Sequence, residues 1–152
     1  MVSVYRLNQK NGSRNDQLAC ITNNYMAMGW DVPVTPINFA HYAAQARAIY
    51  QGKEFPVHTL YALSIGDLIL LRDGYLQSTE FFMGVVVDGW FYDHRFADLE
   101  NRRRCLWLHL GGYSMVPKEF GTLFTPPTLV RVLDHTITEF TLAKARSIGL
   151  PI

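Results

Sequence analysis

At 152 residues, 49% hydrophobic and 18% charged with a formal net charge of +1, the chain has the composition of one compact domain with an apolar core and a nearly neutral surface. A chain of this size buries roughly 68–70% of its unfolded surface and needs no disulfide or metal staple, and 13% aromatic residues with low charge argue against disorder. No stretch approaches the roughly 18 apolar residues of a membrane helix, and the opening residues put an apolar run ahead of the basic ones, the reverse of a secretory signal. A soluble, cytoplasmic protein is expected.

Ser3–Leu7 reads as a first strand, with Val2, Val4 and Leu7 apolar and a polar loop following from Lys10 to Asp16. Leu18–Ile21 reads as a short turn of helix and Tyr25–Trp30 as a second strand, before Pro33 and Pro36 break the chain. Asn38 then caps a helix whose stripe is Phe39, Tyr42, Ala43, Ala46, Ile49 and Tyr50, stopped by Gln51-Gly52. After Leu60–Ile65, the turn Gly66-Asp67 leads into Leu68–Leu71, an unbroken apolar run of strand length.

Glu80–Tyr92 is rich in Phe, Val and Tyr. Gly84 within it predicts a close backbone approach, and Asp88-Gly89 a bulge or tight turn. A loop from Asp93 to Asn101 precedes the strand Arg103–His109, which Gly111-Gly112 ends. Phe124–Pro127 is a rigid turn and Thr128–Leu133 a last strand. Thr138–Ile148 reads as a terminal helix capped by Thr136 or Thr138 and closed by Gly149-Leu150-Pro151. The expected fold is α+β: a small, curved sheet or half-open barrel of five to six short strands flanked by helices, spanning 1–152 as a single domain.

The familiar catalytic signatures are missing. There is no phosphate-cradling glycine loop, nucleophile elbow, His-Glu-x-x-His or Cys-x-x-Cys, so no metal, cofactor or catalytic residue is expected. Cys20 and Cys105 read as buried thiols. Asp93-His94 as a base with its orienting carboxylate is weaker than plain loop polarity, and Asp67 with Glu80 lacks the lysine of a nuclease pair. Asp67 reads instead as a turn residue that starts a strand.

Two features remain. Arg102-Arg103-Arg104, with Arg95 just before, is concentrated positive charge in a near-neutral chain. In a strand Arg102 and Arg104 share one face, making a ledge suited to phosphate oxygens or simply a charged strand edge. The second feature is a set of aromatics at strand ends: Trp30, Tyr75 and Trp90-Phe91-Tyr92, with Trp90 and Tyr92 on one side. Beside the polar groups Asn23, Asn24 and Asp31 they suit a pocket for a flat heterocycle, where stacking contributes roughly 1–3 kcal/mol per base. Trp107, central in its strand, is assigned to the core.

Read in order, Met26-Ala27-Met28-Gly29-Trp30, Ile65–Ile69, Phe82–Val86 leading to Trp90-Phe91-Tyr92, Arg102–Trp107 and Gly121-Thr122-Leu123-Phe124 resemble the PUA-like domains of the EVE and YTH group. Such domains stand at the N-termini of McrB- and Mrr-type modification-dependent restriction proteins. The resemblance runs from about Val4 to Val132. This chain departs from that pattern at Asn101, where the family often has His, at Cys105, where it has Val, and at Trp90, where it commonly has Tyr.

The resemblance implies a non-enzymatic reader of modified double-stranded DNA that flips a marked base into an aromatic cage, as part of a restriction or antiviral defence system. Trp30, Trp90, Tyr92 and Tyr75 are then the expected cage, Asn24 and Asp31 the base-edge partners, and Arg95, Arg102 and Arg104 the phosphate contacts. It also implies an effector nuclease or GTP-dependent motor, fused in a longer parent or supplied in trans. A reader of modified RNA, a small nucleotide-binding domain and a protein-interaction domain are the alternatives.

Overall fold

The computed structural model describes residues 2–7, 20–28, 59–60, 62–75, 78–92, 101–123 and 129–151, with the backbone alone for Met28, 73–75, Ser78, 90–92 and Asn101. The predicted helix after Asn38 and the turn at 124–127 lie outside these residues.

Six strands, β1 (Val4–Leu7), β2 (Tyr25–Met28), β3 (Leu68–Tyr75), β4 (Ser78–Tyr92), β5 (Asn101–Gly111) and β6 (Leu129–Arg131), form one sheet in the order β2-β5-β4-β3-β1-β6. The sheet curls into a half-barrel, the α+β architecture expected of the sequence. β1 runs parallel to β3, and every other pair is antiparallel. After β5 come two 3-10 turns, Tyr113–Met115 and Lys118–Thr122, and after β6 the helix α1, His135–Ser147.

The run Leu68–Leu71 is unbroken because β3 is buried on both faces. Leu68 and Leu70 join Phe81, Met83 and Val85 of β4 under Phe120, Leu123, Ile137 and Ala145 in one core. Ile69 and Leu71 join Leu7, Met26, Val86 and Cys105 under Leu60 and Leu63 in a second. Both cysteines are buried thiols. Gly84 pairs with Trp107 across β4 and β5, and a Cβ on Gly84 would stand 2.8 Å from the indole. That is the close approach its position predicted. The indole packs partly buried against the second core and donates Nε1–H to the Tyr25 carbonyl at 3.0 Å, tying β5 to edge strand β2.

Three expectations need correction. β4 and β5 are long strands of 15 and 11 residues, because Gly84 stays in register and the bulge at Asp88-Gly89 interrupts β4 without ending it. Asn101, expected in the preceding loop, opens β5. The terminal helix starts earlier, at His135, because the carboxylate of Asp134, a stronger cap than threonine, accepts from the Ile137 N–H at 2.9 Å. Its end is as predicted: Gly149 has φ +87°, its N–H reaches the Arg146 carbonyl, and that of Leu150 reaches Ala145. This is a Schellman closure.

Candidate nucleic-acid interface

The candidates at Trp90–Tyr92 and Arg102–Arg104 are placed by an irregularity in the β4–β5 ladder. Val86 pairs with Cys105, and the next register partners are Trp90 and Arg103, so β4 spends two more residues than β5 over this stretch. Val87, Asp88 and Gly89 form the exposed bulge. The start of β3 lies level with Val85. Past the bulge, among the described residues, the sheet narrows to a three-stranded wing built from β2, the beginning of β5 and the end of β4.

The register sets out the wing row by row. Trp90 faces Arg103, Phe91 faces Arg102 and Tyr92 faces Asn101, while Met28 lies on the other side of Asn101. β2 and β4 therefore finish in the same row. Trp30 and Asp31 follow Met28 in sequence and Arg95 follows Tyr92; all three lie outside the described residues.

The three arginines divide differently from the expected ledge. Arg102 and Arg104 do share a face, but Arg102 is only 3% exposed, its guanidinium carbon 4.0 Å from the centre of the Tyr25 ring. The β2–β5 register puts Tyr25 opposite Arg104, diagonal to Arg102, where ring and cation stack. Arg102 is thus a covered side chain rather than a rim cation. The Arg104 side chain is 61% exposed, with its Nε 3.9 Å from an Asp88 carboxylate oxygen that is equally open. Such an exposed pair is weak.

Arg103, on the other face, is 3% exposed and gripped by carbonyls. Its Nε donates to the Asp88 carbonyl at 3.0 Å, and its Nη1 to those of Leu60 at 3.2 Å and Leu63 at 2.6 Å. Burial pushes the pKa of this guanidinium below its ordinary value, against the raising influence of Cys105, Asp67 and Asp88; it remains a cation, as arginine does in proteins. Burial likewise pushes the Cys105 thiol up to about 12, with Arg103 opposing. A thiol so shifted is neutral at ordinary pH and no nucleophile.

Two cage candidates lie elsewhere. Tyr75 pairs with Ser78 at the β3–β4 hairpin, the opposite end of β4 from Trp90 and Tyr92. Asn24 is left-handed at φ +57° and its carbonyl accepts from the Cys105 N–H at 3.0 Å. It ends the helical turn at Cys20–Thr22 and starts β2, at the far end of that strand from Met28. Asparagine tolerates this backbone, which gives Asn24 a local structural role away from the row where β2 and β4 finish.

Asp67 and Glu80 are also held apart, Asp67 just before β3 and Glu80 opposite Asp73 near its end. Glu80 meets His109 at 2.7 Å on the surface. Among the described residues no group of three or more His, Cys, Asp or Glu could hold a metal, and no helix is long and apolar enough to cross a membrane. Comparison with family models, curated proteins and solved structures finds no match to this chain.

What sequence reasoning missed is Tyr25 as the cover of Arg102, Asp88 as the neighbour of Arg104, and the anchoring by Arg103. The Asp88-Gly89 signal pointed to the bulge, and strand periodicity separated Arg103 from its neighbours. Neither gave partners.

Proposed function

We propose that the chain is a non-catalytic binding module that reads a modified base in double-stranded DNA, flipped out at the end of the wing. The observation that carries this reading is the common finishing row of β2 and β4, which brings the Trp90–Tyr92 strand end beside the exposed Arg104 and beside the point where the chain leads on to Trp30 and Asp31. Flipping costs a few kcal/mol, which stacking on aromatic faces and hydrogen bonds to the base edge offset. A net charge of +1 supports little bulk attraction for DNA, so affinity depends on the marked base. Cutting or translocation belongs to an effector nuclease or GTP-dependent motor, joined in a longer chain or recruited in trans, and the setting is defence against foreign DNA.

The test is fluorescence anisotropy with duplexes carrying methylcytosine, hydroxymethylcytosine or N6-methyladenine, against unmodified duplex and matched RNA. One modified duplex is expected to bind at least about tenfold more tightly than its unmodified counterpart, as loss of one well-matched contact to a base predicts. W90A is expected to weaken that duplex about ten- to a hundredfold, the worth of one stacked base, with the melting temperature retained. Equal affinity for every duplex, or no binding at moderate salt, would sink the reading, and preference for modified RNA would replace it.

A second expectation concerns the rim. Asp88 holds negative charge 3.9 Å from Arg104, so D88N makes Arg104 more available to phosphate. The variant should bind all duplexes more tightly and show a salt dependence steeper by about one counterion. The ratio of modified to unmodified affinity should stay unchanged. An unaltered salt slope would show that Arg104 does not meet the backbone.

A further inference from the structure

The bulge is the step between the body of the sheet and the wing, and packing does not hold it at its tip. A Cβ built on Gly89 would meet nothing within 4 Å, and Val87, Asp88 and Gly89 are all exposed. The Gly89 N–H is taken locally by the Asp88 carboxylate at 2.7 Å. What reaches the bulge from the interior is Arg103, through the Asp88 carbonyl.

The same guanidinium holds the carbonyls of Leu60 and Leu63, residues whose side chains are buried in the second core. Thr59, Leu60 and Ala62 are helical and Leu63 follows directly, so these carbonyls lie at the end of a helical segment, where a cation is favoured. One planar fork thus joins a segment outside the sheet to the bulge, while its own residue is the register partner of Trp90. Lysine offers three donors at one point and cannot span acceptors so arranged.

We infer that Arg103 is the positioning residue of the wing: without touching the ligand, it fixes the bulge against the Leu60–Leu63 segment and so sets the direction in which the Trp90–Tyr92 strand end leaves the sheet. Its consequence for recognition rests on the reading of the wing as a base-binding site. Its consequence for the backbone does not.

The experiment compares wild type, R103K and W90A by amide hydrogen exchange and by the ratio of affinities for the preferred modified duplex and its unmodified form. In R103K the amides of residues 88–92 should exchange about tenfold faster, the worth of a lost charged hydrogen bond, while those of Leu68–Leu71 keep their protection. The affinity ratio should fall by a similar factor with the salt slope retained. W90A should lose the ratio while the bulge keeps its protection.

Unchanged exchange at 88–92 in R103K overturns the inference, and so does faster exchange with a full affinity ratio. If wild type itself shows no preference among duplexes, the base-reading proposal fails, and exchange at the bulge alone decides what Arg103 does. If R103K does not fold, the Arg103 Nε–H of the wild type is followed by NMR. Slow exchange with water supports the anchoring, and fast exchange overturns it.

Discussion

Asp67→Ala is expected to destabilise the fold by about 3–6 kcal/mol, because it removes two charge-assisted bonds of about 1.5–3 kcal/mol each. The carboxylate is 5% exposed and divides its oxygens: Oδ1 accepts from the Ser3 N–H at 3.0 Å and Oδ2 from the Ser64 N–H at 2.9 Å. Asp67 also closes the turn it belongs to, its N–H reaching the Ser64 carbonyl at 3.0 Å around Gly66 at φ +96°. The side chain therefore ties the entry of β1 to the entry of β3 at the level where those parallel strands begin to pair. Asp67→Asn keeps the shape and loses one acceptor, turning an NH2 group toward a backbone N–H, so it should cost nearly as much as alanine. Urea unfolding of both variants checks this. If asparagine restored wild-type stability, the two-oxygen division would be wrong.

Phe120→Ala is the other large effect, about 3–5 kcal/mol for an aromatic side chain removed from a packed interior. Phe120 is fully buried in the second 3-10 turn and meets two rings edge-on, Phe81 of β4 at 5.3 Å and Phe140 of α1 at 5.6 Å. It is the piece through which the C-terminal helix grips the sheet. For a chain of this size the loss corresponds to a fall of about 6–20 °C in the midpoint of thermal unfolding. The cavity lies in the first core, whereas Arg103 holds the carbonyls of Leu60 and Leu63, which belong to the second. Below its transition, Phe120→Ala should therefore keep whatever duplex selectivity the wild type has. Loss of selectivity without loss of stability would reverse the assignment of the two cores.

Much of the fold was legible because its signals are local. The apolar run at Leu68–Leu71, the turn at Gly66-Asp67, the irregularity at Asp88-Gly89, the stop at Gly111-Gly112 and the close approach at Gly84 each follow from the chemistry of one or two residues. The length of β4 was not legible, since a glycine that bends a strand and one that ends it look alike until the partner strand is known. β5 carries its ladder to β4 on both sides of the bulge, and this continuity is a tertiary fact.

The site was legible only in part, for two physical reasons. Alternation told that Arg102 and Arg104 share a face, but the cover over Arg102 comes from Tyr25, distant in sequence and brought near by pairing at the sheet edge. The grip of Arg103 falls on main-chain oxygens of Leu60, Leu63 and Asp88. Every residue carries a carbonyl, so such an acceptor leaves no trace in side-chain pattern. Tyr75 is an aromatic of the expected type beside a turn, and the length of β4, not visible in the sequence, separates it from Trp90 and Tyr92.

The position of β1 between β3 and β6 governs how the chain can reach this structure. Leu7 pairs with Leu71 on one side and with Leu129 on the other, so β1 needs one neighbour that lies far along the chain from it. On a ribosome, β1 is made well before β6 and must wait, with half its hydrogen-bonding groups open, until β6 emerges. Closure over so long a separation carries an entropic cost before any contact rewards it. Completion of the sheet therefore waits for β6, and the folding rate belongs with slow, high-contact-order β proteins.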